Sequence, residues 1–205
     1  MRKPHPLKRN KTNQQPTRVI FFDTETTQVR LSNGDIEHHL KLGQACYVRL
    51  DKSGNVVKRE WLRFRDAVTF WDWCVKHATT KTRLIMVAHN LDFDVLVLGG
   101  FRPLNDRGYK LKMLIVSSGA NIWRFSNGKS TILMLDNMNY FHMSLAALGN
   151  SIGLSKLDVD FETVSDGDLE VYCRRDVEIM IKAWLDWLAF LKDHNLGCWA
   201  MTTAG

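Results

Sequence analysis

The chain has 205 residues, 45 % of them hydrophobic and 24 % charged, with a net charge of +6; this length and mix suit one globular domain that can bury a core without staples. No run of eighteen apolar residues is present, which excludes a helical membrane span, and the N-terminus has no apolar signal region, so an intracellular, non-secreted protein without membrane contact is expected. The four cysteines, Cys46, Cys74, Cys173 and Cys198, form no Cys-x-x-Cys pair, which argues against a disulfide framework or a zinc ribbon.

In chain order, residues 1–17 read as a basic, flexible arm rich in Pro, Asn, Gln and Thr. Arg2, Lys3, Lys8, Arg9, Lys11 and Arg18 fall at this end with no acid among them; without these six the chain carries 22 basic and 22 acidic residues. Such an arm either keeps the protein soluble or contacts phosphates in a salt-dependent way. The folded domain is expected over 18–197, with a C-terminal tail over 198–205. Val19-Ile20-Phe21-Phe22 predicts a buried strand ending at Asp23. A turn around Ser32–Asp35 follows, then a hairpin of Gly43–Leu50 and Val56–Phe64 joined at Asp51–Asn55. Asp66–Ala78 has helical spacing, Leu84–Val87 is a short buried strand, and Leu91–Leu98 reads as a helix that Asn90 can cap. Strands are expected around Leu111–Val116, Asn121–Phe125 and Thr131–Leu135, then helices over Ser144–Ile152 and Asp168–Leu191. Trp71, Trp184 and Trp187 are read as core and His38-His39 as solvated. A hairpin followed by strand–helix alternation implies an α/β domain with a mixed central sheet flanked by helices.

Four acids resist a structural role. Asp23 and Glu25 lie two apart at the end of a buried strand and share a face, so they repel unless a cation lies between them. Asp94 falls one turn into the helix after His89-Asn90-Leu91-Asp92-Phe93, where it either favours the helix dipole at the surface or turns inward; Asp92 reads as the exposed one of the pair. Asp176 sits between Tyr172 and Met180 at four-residue steps on an apolar stripe with Leu169, Trp184, Trp187 and Leu191. A carboxylate there needs a metal or an ion pair with a distant Lys or Arg, because Arg174 and Arg175 are poorly placed to face it.

Taken together, Asp23-x-Glu25, Asn90-x-x-Phe93-Asp94 and Tyr172-x-x-x-Asp176 resemble the three motifs of the tyrosine-type DEDD 3′→5′ exonucleases of the DnaQ-like, ribonuclease H-like superfamily. Val171 stands where the histidine-type branch has its histidine. Asp23–Thr27, His89–Asp94 and the stretch from Asp136 to Phe161 are most similar to the proofreading domain of protein-primed family B DNA polymerases. The resemblance implies a ribonuclease H-like fold and a stand-alone exonuclease, without a polymerase palm, that hydrolyses phosphodiesters at a single-stranded or frayed DNA 3′ end. It implies that Asp23, Glu25, Asp94 and Asp176 hold two divalent ions, that Tyr172 orients water and that Lys156 meets the scissile phosphate. Thr26, Asn90, Phe93, Asn137 and Met138 would hold the strand. Oxygen donors of this kind suit Mg²⁺ or Mn²⁺. The alternatives are an RNA 3′→5′ exonuclease on the same scaffold and a non-catalytic nucleic-acid-binding subunit; a separate DNA polymerase or a replication or repair protein is the expected protein partner.

If the basic arm meets phosphates, deleting residues 1–16 weakens binding to a single-stranded oligonucleotide at low salt and leaves turnover intact. A filter-binding salt titration checks this; equal binding with and without the arm would confine it to solubility or localisation.

Overall fold

The computed structural model describes residues 15–117 and 119–203. The basic arm expected over 1–17 lies outside the described residues except for its last three. Among the described residues seven strands form one sheet: β1 (Arg18–Arg30), β2 (Ile36–Leu50), β3 (Val56–Phe64), β4 (Leu84–Ala88), β5 (Lys110–Ser117), β6 (Ala120–Ser126) and β7 (Thr131–Asp136). Their spatial order is β3-β2-β1-β4-β7-β6-β5. β1, β4 and β7 run parallel at the centre, and antiparallel pairs complete each side. The expected fold class, a mixed central sheet flanked by helices, is borne out.

The period-2 alternation of each strand decides which helices cover which face. Val19 and Phe21 of β1, Ile85 and Val87 of β4, and Leu133 and Leu135 of β7 face α4 (Leu145–Ser151) and α5 (Asp166–Asp193), meeting Leu148, Val177, Met180 and Trp184. Ile20, Phe22, Leu84, Met86, Ile132 and Met134 face the other way. They pack on α1 (Ala67–His77), α2 (Leu91–Val97) and α3 (Arg102–Asp106) through Phe70, Trp71, Leu91, Val95 and Leu104. Trp71 and Trp184 are buried and Trp187 is half-buried against Tyr140 and Trp184. Among the described residues no helix is long and apolar enough to cross a membrane.

Several boundaries move from their sequence positions, each for a local reason. β1 does not stop at Asp23: it continues to Arg30 because β2, longer than expected, pairs with it throughout, with a bulge between Glu25 and Thr26. α5 starts before Asp168, because Ser165 caps it by accepting the Asp168 amide at 3.1 Å. Asn90 does not cap α2 with its side chain: its backbone is left-handed, at φ 78°. The cap comes instead from Asp136 at the end of β7, whose carboxylate accepts the amides of Asn90 (3.3 Å) and Leu91 (2.9 Å). The short α3 and a 3₁₀ turn over Asn137–Asn139 are additions that no periodicity announced.

The segment expected to be a C-terminal tail from residue 198 is docked. The Trp199 ring lies 6.4 Å from that of Trp184, Tyr140 donates its hydroxyl to the Ala200 carbonyl (2.9 Å), and Thr203 donates its amide to Asn139 O (3.3 Å). The reason is burial: Trp199 and Met201 complete the apolar cluster around α5. Trp199→Ala is therefore expected to lower stability by about 2–4 kcal/mol in urea denaturation; a cost under about 0.5 kcal/mol is what a free tail would give.

Candidate active site

Alternation on β1 turns Asp23 and Glu25 toward α5, the face that Val19 and Phe21 begin. There they meet Cys173, whose thiol donates to the Asp23 carboxylate (3.4 Å) and carbonyl (3.5 Å). Ligand atoms of Asp23, Glu25 and Cys173 lie within 4.8 Å of one another. Asp176, three residues further along α5, is only 2 % exposed. One of its oxygens, Oδ2, accepts from the Lys156 ammonium, while the other, Oδ1, is buried with no hydrogen-bond partner among the described residues. The distant cation that the sequence left as one way to satisfy Asp176 is thus Lys156, but it satisfies only half of the carboxylate. Lys156 reaches this place because Gly149 has no Cβ: one there would lie 2.6 Å from Leu154 O and 3.2 Å from Lys156 N.

Thr24, between the two strand acids, points the opposite way and finds Asp94. Its amide (3.0 Å) and its hydroxyl (2.6 Å) both donate to Asp94 Oδ1. Asp94 is also 2 % exposed, so it turns inward and is not a surface acid favouring the dipole of its helix. Asp92 is half-buried and accepts from the Asn121 amide at 3.0 Å.

Crowding of acids away from water raises their pKa values. Burial pushes Asp23 well above the usual carboxylate range, and the charges of Asp94, Asp176 and Glu25 add to it. Burial and Asp176 raise Glu25 to about 7, against the pull of Lys156 and Lys41. Burial raises Asp94 to about 8 despite the Thr24 hydrogen bonds, with Glu25 and Asp136 adding to the rise. Asp176 is raised by burial, opposed by Lys156 and Arg175. The Lys156 ammonium loses solvation on burial but gains more from Asp176, so it stays firmly charged. Among the described residues Lys156 is the cation bonded to these four acids, which leaves the centre short of positive charge, and Asp23, Glu25, Asp176 and Asp94 are the oxygen donors that could hold a cation.

Tyr172 sits one turn before Asp176, its ring 4.5 Å from the Lys156 ammonium and edge-on to Phe161 at 5.5 Å. A cleft of about 770 Å³ opens beside Glu25, the one acid of the four that lines it, between Thr26, His38, Lys41, Phe93 and Phe161. Thr26 Oγ1 bonds His38 Nδ1 at 3.0 Å, and the His38 ring lies edge-on to Phe93 at 5.2 Å. Of the five residues expected to hold a strand, the structure brings Thr26 and Phe93 to this cleft. Asn90 and Met138 line a separate groove with Asn121 and His142. Asn137 does not line a strand path: it is fully buried, with its amide spent between Trp184 Nε1 (3.0 Å) and His89 Nδ1 (3.0 Å).

Thr24, Asp136, Cys173, His38 and Phe161 had no site role in the sequence, and His38 was expected to be solvated. Thr24 carried a signal, a hydroxyl held between two acids of a buried strand. Asp136 carried one as well, an acid closing the apolar run Thr131–Leu135. Nothing in the linear order joins His38 to Phe93.

No family model matches the chain, and neither does any curated protein. Solved structures of phi29 DNA polymerase are similar to it. The polymerase complexed with primer-template DNA and incoming nucleotides gives a TM-score of 0.61 at 15 % identity, over 92 % of this chain and 33 % of the polymerase. The polymerase complexed with single-stranded DNA gives 0.57 at 17 %, over 91 % and 33 %. This chain thus spans about a third of the polymerase's length, and the likeness is one of fold.

The raised carboxylates set the direction of a pH effect. An acid whose folded pKa exceeds its unfolded value stabilises the fold at low pH, and that contribution is lost as pH rises through the folded value. In chelator, the melting temperature is expected to fall between about pH 5 and pH 8.5, spanning the Glu25 and Asp94 values. Asp94→Asn should flatten the upper part of the profile. A wild-type profile that rises with pH over this range would mean that burial does not raise these carboxylates.

Proposed function

We propose that this protein is a divalent-metal-dependent 3′→5′ exonuclease that removes nucleoside monophosphates from single-stranded or frayed DNA 3′ ends. The observation that carries the reading is the free, buried Oδ1 of Asp176 beside a strand-borne acid pair. An acid kept only for a salt bridge has no reason to leave one oxygen buried and unpaired, because that costs about 1–3 kcal/mol. A cation restores the balance, and an all-oxygen set from Asp23, Glu25, Asp176 and Asp94 fits Mg²⁺ or Mn²⁺. The fold shared with a third of a DNA polymerase, and the motifs on these same elements, support a nucleic-acid substrate and a replication or repair setting beside a separate polymerase.

In this reading Asp23, Glu25 and Asp176 would hold one ion, and Asp23 with Asp94 a second. Two bound ions supply an activated water and stabilise the leaving oxygen. The chain's own groups do the rest. Tyr172 holds the attacking water in line with phosphorus. Lys156, already charged and at the site, offsets the negative charge that grows on the phosphate. Thr26, His38, Phe93 and Phe161 form the cleft walls, where exposed rings stack on terminal bases without reading their sequence. Water oxygen attacks phosphorus, the bond to the 3′ oxygen of the penultimate nucleotide breaks, and that oxygen takes a proton from solvent. The products are a 5′-monophosphate and a strand shorter by one nucleotide.

A 5′-labelled single strand incubated with protein and Mn²⁺ should yield a ladder shortening from the 3′ end. The Asp23→Ala, Glu25→Ala double variant, checked for folding by circular dichroism, should slow it at least about 100-fold. Unchanged degradation by that variant would remove the assignment, and faster shortening of a matched RNA strand would move the substrate class to RNA.

A further inference from the structure

We propose that Cys173 gives the acidic centre a second metal chemistry: a thiophilic divalent cation, Zn²⁺ or Cd²⁺, binds through Cys173 Sγ, Asp23 and Glu25 and excludes the hard ions from the same acids. The inference rests on the metal-binding reading of Asp23 and Glu25, though not on the nuclease reaction.

Two observations meet here. The first is the cluster: a thiol and two carboxylates with ligand atoms within 4.8 Å, the thiol lying against the Asp23 carboxylate at 3.4 Å. The second is the buried, unpartnered Oδ1 of Asp176, three residues from Cys173 and so on the same side of α5. The thiol and the two carboxylates are three donors of mixed sulfur and oxygen type, the number a zinc site with one open position uses. Mg²⁺ and Mn²⁺ prefer oxygen ligands and leave a thiol alone. With a hard ion Cys173 therefore remains what it is in the structure, a hydrogen-bond donor that orients Asp23. With a soft ion the S–H bond breaks, the proton leaves to solvent, and the sulfur keeps the electron pair that forms the metal–sulfur bond. Because Asp23 and Glu25 are common to both arrangements, the two classes of ion compete. Cys46 and Cys74 are buried in the apolar clusters on the two faces of the sheet, and neither joins the Asp23, Glu25 and Cys173 group.

Titrating Cd²⁺ into the full-length protein without DNA tests the proposal, with the ultraviolet thiolate-to-cadmium charge-transfer band as readout. One ion per chain should produce the band, and excess Mn²⁺ should shift the titration to higher Cd²⁺. Cys173→Ser should abolish the band and weaken Cd²⁺ binding at least roughly tenfold. The Asp23→Asn, Glu25→Gln pair should weaken it comparably, which keeps the test decisive if the serine variant fails to fold. Cys198→Ser should leave the band in place. A band that persists in folded Cys173→Ser, or a titration that Mn²⁺ does not move, overturns the proposal. If the wild type fails to shorten DNA with Mn²⁺, the nuclease reading fails whatever cadmium does.

Discussion

The site depends on like charges held together where water cannot separate them. Burial raises the pKa values of Asp23, Glu25, Asp94 and Asp176, neighbouring acids add to the rise at the first three, and Lys156 is the chief opposing charge, with Lys41 and Arg175 beside it. Free chains would relieve that repulsion by moving apart. These acids cannot, because each is anchored by an element whose other side chains are buried in the core. β1 carries two acids on one face while Ile20 and Phe22 lock its other face, and α5 carries Asp176 between Tyr172 and Met180. Apolar burial elsewhere holds the electrostatic strain in place.

That anchoring extends outward in steps. Asp94 is held by both donors of Thr24, and the helix bearing it is capped by Asp136 from the end of β7. Asp136 also accepts the Met138 amide at 2.8 Å, which ties it to the 3₁₀ turn. The same turn bonds through Asn139 to the backbone of Asn121 and Met201, so the C-terminal segment braces the far end of the chain of contacts. Lys156 enters from a loop that passes close over α4 at Gly149. A centre built this way tolerates little movement, which suits chemistry that depends on placing donors before the substrate arrives.

Sequence patterning located the secondary structure well where periodicity was strong. β3, β4, α1 and α2 lie where alternation and helical spacing put them, within a residue or two. It failed where partners across space set the limits. β1 continues past Asp23 because β2 is there to pair with it, and residues 199–203 dock because Tyr140, Asn139 and Trp184 receive them. Asn137 read as available to a strand and is instead fully spent on Trp184 and His89, since its neighbours in space are invisible from the motif.

By itself, the sequence determined the alternation that faces Asp23 and Glu25 the same way, the inward seat of Asp176 on its helix, and the α/β class, because all three follow from local periods of 2 and 3.6 residues. The tertiary structure alone decided that Lys156 meets Asp176, that Thr24 holds Asp94, that Asp136 replaces Asn90 as the cap, and that Cys173 touches Asp23. Those contacts join residues 20 to 150 positions apart. Backbone periodicity fixes direction within an element, but which elements face one another is set by packing of the whole core.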